Sequence, residues 1–90
     1  MSRFEVFFSG RVQGVGFRYR VRSLVAGFFV SGTIKNLPDG RVHLIAEGEK
    51  KELEEFLQGI LEAELASHIR EYDWAWAEAT GTMKGFKIIG

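Results

Sequence analysis

An α+β sandwich, with two helices packed on one face of an antiparallel sheet, is the fold class predicted by this 90-residue sequence. Three observations predict it. Two segments carry apolar residues at helical spacing, and others alternate apolar and polar residues as half-buried strands do. Their order is strand, helix, strand, strand, helix, strand, with a short extra strand at the C-terminal end. This is the ferredoxin-like arrangement, and at this length it makes one domain, residues 1–90, with one modest core.

Residues 3–9 alternate: Phe4, Val6 and Phe8 point one way, and Arg3, Glu5, Phe7 and Ser9 the other. Gly10 to Gly16 form a loop with three glycines. Phe17, Val21, Leu24, Val25 and Phe28 then make one apolar helical stripe, with Gly27 near its end. Val30–Leu37 and Arg41–Glu47 read as the arms of a hairpin around the Pro38-Asp39-Gly40 turn. Gly48 and Glu49 open a second helix, whose stripe is Leu53, Phe56, Leu57, Ile60 and Leu61. Glu49 and Glu52 near its start suit the helix dipole. Further on, Tyr72, Trp74 and Trp76 share one strand face. They are expected to be core under the helices, and Ile69, out of phase with them, implies a bulge. Residues 85–89 form the last strand.

Composition excludes several classes. With no cysteine there is no disulfide, thiolate metal site or cysteine nucleophile. No apolar run reaches the roughly 20 residues of a membrane span, and the N-terminus shows no signal peptide. A cytoplasmic, monomeric protein with no membrane partner is expected. Zero net charge argues against a general nucleic-acid binder. The charge is nevertheless divided. Residues 1–45 hold seven Lys and Arg against two Asp and Glu, and residues 46–90 hold five against ten. Scatter in a short chain and an anion site built from the first half explain this equally well.

The informative segment is Gly10-Arg11-Val12-Gln13-Gly14-Val15-Gly16-Phe17-Arg18. Glycines between a strand and a helix N-terminus let successive amides turn inward, forming a nest that suits a phosphate-sized anion. Neither the dinucleotide fingerprint nor a Walker loop fits the spacing. Arg18 falls in the first helical turn, where a cation opposes the dipole by roughly 0.3–1 kcal/mol. It is either a solvated residue tolerating that cost or the fork that grips an anion held by the nest. Arg20 and Arg22 read as solvated, and Arg11 as a source of peripheral field. In the second segment, Lys35-Asn36-Leu37-Pro38-Asp39-Gly40, Asn36 either bonds its own turn or holds a water by donor and acceptor together.

Both segments resemble the acylphosphatase family. So do Ala46-Glu47-Gly48, the spacing of Ile69, Tyr72, Trp74 and Trp76, and the terminal Gly85-Phe86-Lys87-Ile88. The resemblance covers almost the whole chain. It implies hydrolysis of the carboxyl-phosphate bond of a small acyl phosphate. By that resemblance Arg18 and Asn36 are the catalytic pair: Arg18 binds the phosphate and Asn36 positions the attacking water. The backbone of Val12, Gln13, Gly14, Val15, Gly16 and Phe17 is the phosphate-binding loop.

Such a reaction makes few demands. The leaving carboxylate belongs to an acid of pKa about 4, so no general acid is needed. No carboxylate cluster points to Mg²⁺, and the expectation is no metal and no cofactor. His43 and His68 are isolated and read as packing or surface residues, not as phosphohistidine sites. Two rivals stand beside this reading. An RNA-binding module shares the topology, but the strand Arg41–Glu47 offers His43 and Ile45 where such modules present an aromatic. A phosphate or carbamoyl-phosphate sensing module would bind without turnover.

Overall fold

The computed structural model describes residues 1–90. Strand β1, Ser2–Gly10, buries Phe4, Val6 and Phe8 and leaves the residues between them half-exposed, as its alternation requires. Helix α1, Phe17–Leu24, buries Phe17 and Val21, and continues into a 3-10 turn, Val25–Gly27. Strands β2, Val30–Asn36, and β3, Val42–Gly48, form the hairpin. Helix α2, Lys50–Glu62, buries Leu53, Phe56, Leu57 and Ile60. A 3-10 segment, Glu64–His68, leads to strand β4, Ile69–Ala77, and the chain closes with β5, Phe86–Ile89. The second helix begins at Lys50. Gly48 remains in β3 and Glu49 is the extended N-cap.

The sheet order is β4-β1-β3-β2-β5. Four strands are antiparallel to their neighbours, but β5 runs parallel to β2, so the sheet is mixed and not purely antiparallel. The reason is topological. Strand β4 ends at one edge, opposite Arg3, and residues 78–85 carry the chain to the other edge. There β5 starts beside Gly32 and runs the same way as β2. Helix α2 packs over β1 and β3, and α1 packs against α2 and β5. The core lies between these layers.

The expected bulge is present. Ser9 pairs with Glu71 and Gly10 with Ile69, leaving Arg70 as the extra residue. The aromatic face of β4 is not as expected. Tyr72 and Trp74 pair opposite Phe8 and Val6, hence on the helix side, yet they are 39% and 43% exposed. β4 is an edge strand, and the helices stand over β1, β3 and the opposite edge strand β5, so most of β4 lies beyond them. Only Trp76 is half-buried, stacked near Phe4, with the Lys50 ammonium 4.8 Å from its ring centre.

The crossing segment is pinned by one carboxylate. Glu47, whose side chain has no exposure, accepts from Arg3 Nε at 2.7 Å, the Thr80 amide at 2.8 Å, the Gly81 amide at 3.0 Å and the Thr80 hydroxyl at 3.2 Å. Burial alone would raise its pKa. The hydrogen bonds from Thr80, Arg3 and Gly81 outweigh burial and lower it to about 2. A depressed carboxyl contributes stability above its ordinary value of 4.5 that is lost as pH falls toward 2. Thermal melts between pH 5 and 2 are expected to show a steep fall in Tm for the wild type and a shallower one for Glu47→Gln. Parallel falls would remove Glu47 from the acid transition. At neutral pH, Glu47→Ala is expected to cost about 3 kcal/mol in urea unfolding, because Arg3 and two amides lose their acceptor.

Candidate active site

All the antiparallel geometry places the C-terminal ends of β1 and β2 at the same end of the sheet, on either side of β3. The loop after β1 and the turn after β2 therefore meet. The loop leaves the sheet at Gly10, where any side chain would collide with β4. A Cβ there would lie 2.5 Å from the His68 carbonyl oxygen and 2.7 Å from the Arg70 amide nitrogen. The Arg11 amide then donates to that His68 carbonyl at 2.9 Å. Gly10→Ala is expected to cost about 2–3 kcal/mol of stability by forcing this junction apart. An unchanged urea midpoint would show that β4 can yield.

Gly14 and Gly16 have φ of 77° and 79°, left-handed values that reverse the chain into α1. Space is not their constraint, since a Cβ at either would meet nothing within 4 Å. The turn leaves the amides of Val12, Gln13, Gly14, Val15 and Gly16 without any protein acceptor. Amide runs of this kind, at a helix N-terminus, bind anions.

The side chains of the loop divide the work. Val12 and Phe17 are buried in the core, Phe17 edge-on to Phe8 at 5.2 Å, so only their backbones remain available. Val15 is exposed. Gln13 acts as a brace: its Nε2 donates to the Leu37 carbonyl at 2.8 Å and to the Arg41 carbonyl at 2.9 Å. The loop is thus bonded to the residue next to Asn36. Nothing in the sequence pattern signals this bridge, because it joins positions 24 and 28 residues apart.

Arg18 is half-buried in the first turn of α1, with no carboxylate within salt-bridge distance. Its helical neighbours are otherwise engaged. Arg20 reaches Glu64 at 3.7 Å, and Arg22 sits over the Tyr19 ring. Asn36 ends β2 on the same face as buried Ile34. Its Oδ1 is buried and has no hydrogen-bond partner. The asparagine does not bond its own turn; Asp39 does so instead. Asp39 accepts from the Arg41 amide at 3.1 Å and from Arg41 Nε at 2.8 Å, and the amide bond foremost holds its pKa below the usual value. No three His, Asp or Glu side chains converge as a metal site would need.

The loop after β1 with its unpartnered amides, the unpaired Arg18 that follows it in α1, and the buried Asn36 Oδ1 at the end of β2 are thus set at one end of an α+β sandwich. The chain belongs to the acylphosphatase family, whose family model matches residues 4–88. It is 38% identical over 89 residues to an acylphosphatase of Roseiflexus sp. (strain RS-1), covering 99% of this chain and 96% of that relative. The crystal structure of acylphosphatase from Bacillus subtilis superposes with a TM-score of 0.90 at 30% identity, covering all of both chains. A phosphate- and nucleotide-bound full-length HypF matches with a TM-score of 0.85 at 28% identity. The match takes in 99% of this chain and 12% of that one.

Proposed function

We propose that the protein hydrolyses acyl phosphates with Arg18 and Asn36 as its catalytic residues and the amides of Val12 to Phe17 as its phosphate cradle. Acyl-phosphate hydrolysis is the activity of the family to which the chain belongs. The observation that carries the residue assignment is the buried, unpartnered Asn36 Oδ1 beside a loop whose own amides are unpartnered. A buried acceptor without a partner costs roughly 1–3 kcal/mol, so its retention calls for a use.

The loop amides and the Arg18 guanidinium take the phosphoryl oxygens and neutralise charge that builds up in the transition state. Asn36 Oδ1 accepts a hydrogen from water and its Nδ2 donates to the same site, aligning the oxygen in line with the bond to be broken. A P–O bond to water forms as the P–O bond to the acyl oxygen breaks. The carboxylate departs unprotonated, and the water's proton passes to a phosphate oxygen. The protein works as a monomer in the cytoplasm on a small molecule. The edge strand β4 supports the monomer, since Arg70, Glu71 and Asp73 discourage strand pairing.

Hydrolysis of benzoyl phosphate, followed by ultraviolet absorbance, tests this reading. Turnover is expected to be the same with and without EDTA. A loss in EDTA restored by Mg²⁺ would contradict the metal-free mechanism. Binding of phosphate without turnover would favour the sensing module instead.

A further inference from the structure

Next to the loop, on the side away from α1, lies an open cleft of about 680 Å³. The start of the loop, the β2–β3 turn and the start of β4 enclose it, and Ile69 is its only hydrophobic lining residue. Neither Arg18 nor Asn36 lines it. Three arginines do: Arg11, Arg41 and Arg70, together with His68. Arg11 and Arg70 have no carboxylate within salt-bridge distance. Asp39 is the only carboxylate in the lining, and Arg41 already occupies it.

Arg41 is held for use. Its guanidinium lies over the Phe7 ring, 4.7 Å from the centroid, and Phe7 stacks on His43 at 4.3 Å and 3°. His43 is in turn bonded to Glu5 at 2.9 Å. Only Nε of Arg41 is spent on Asp39, so the two terminal nitrogens stay available. A guanidinium fixed by stacking loses little entropy on binding an anion. The bulge at Arg70 is what brings the third arginine to the same place, since it adds one residue to β4 at the cleft.

From this geometry we propose that the cleft is a second anion-binding site, taking a carboxylate or phosphate group of a small molecule. The volume suits a small ligand. With Ile69 alone as a hydrophobic side chain the cleft has little to hold an apolar acyl group, whereas guanidinium forks match carboxylate and phosphate oxygens. The site touches the loop through Arg41, which lines the cleft and whose carbonyl receives Gln13. Such an anion has two sources, the far end of a substrate already held at the loop or a separate small molecule. The first rests on the acyl-phosphate reading above, and the second does not.

The test uses Arg70→Ala, at an exposed residue outside the catalytic machinery, in about 0.15 M salt to suppress long-range steering. Benzoyl phosphate, with no second charge, is compared with succinyl phosphate, which carries a carboxylate tail, and with 3-phosphonopropionyl phosphate, which carries a phosphonate there. In parallel, tricarballylate is titrated into ¹⁵N-labelled Arg18→Gln protein and its Arg70→Ala derivative. Expected are amide shifts at residues 39–41 and 67–70 in the first protein and their loss in the second. If the source is the substrate tail, Arg70→Ala also raises KM about tenfold for the two charged tails and leaves benzoyl phosphate unchanged. If the shifts appear and the three substrates respond alike, the site serves a free anion. No shifts together with uniform kinetics overturn the proposal. Failure of the wild type to hydrolyse any of the three overturns the acyl-phosphate reading instead, and leaves the titration to judge the cleft.

Discussion

Arg18→Gln is expected to lower kcat/KM for benzoyl phosphate by about a thousandfold while leaving the melting temperature within about 2 °C of wild type. The first half follows from charge. A phosphoryl group in transit carries negative charge over its equatorial oxygens, and Arg18 is the unpaired guanidinium in the first turn of α1, since Arg20 is engaged with Glu64. Glutamine keeps two amide donors but neither the charge nor the planar fork. The second half follows from the surroundings. Arg18 has no ion pair, and it stands at a helix end where a cation is unfavourable, so its loss removes no structural bond. Inorganic phosphate is expected to lose its affinity in parallel, read by calorimetry. A variant with near-normal kcat/KM would place the site elsewhere.

Asn36→Ala is expected to lower kcat about a hundredfold and to leave inorganic phosphate bound as in the wild type. Its effect on stability separates a positioning role from a structural one. A structural asparagine gives up hydrogen bonds when truncated and destabilises the fold. Here Oδ1 has no partner to lose, and deleting a buried unpartnered acceptor is expected to change the urea midpoint little or raise it. Loss of activity together with phosphate binding, or a drop of more than about 2 kcal/mol in stability, would make Asn36 a structural residue of the β2–β3 turn.

Much of the architecture was legible because it rests on local periodicity. The alternation of Phe4, Val6 and Phe8, and the stripes through Val21 and Leu53, are patterns a single element carries within itself. The candidate loop could be read for the same reason, since its glycines and Arg18 are contiguous. What could not be read depends on which strands become edges. Tyr72 and Trp74 alternate as buried residues do, yet β4 lies beyond the helices, and no pattern within residues 69–77 encodes that position. The parallel pairing of β5 has the same origin. Glu47 is a single carboxylate in a strand until Thr80 and Gly81 arrive, and the Gln13 brace needs the carbonyls of Leu37 and Arg41. The arginine cleft draws on positions 11, 41 and 70, whose meeting only the topology decides.

The assignment of the loop as a phosphate cradle is tested most directly by titrating inorganic phosphate into ¹⁵N-labelled wild-type protein and following its backbone amides. Gln13, Gly14, Val15 and Gly16 are expected to undergo the largest downfield shifts, as unpartnered N–H groups acquire charged acceptors, and these shifts are expected to vanish in Arg18→Gln. Saturable binding that leaves those amides unmoved would contradict it.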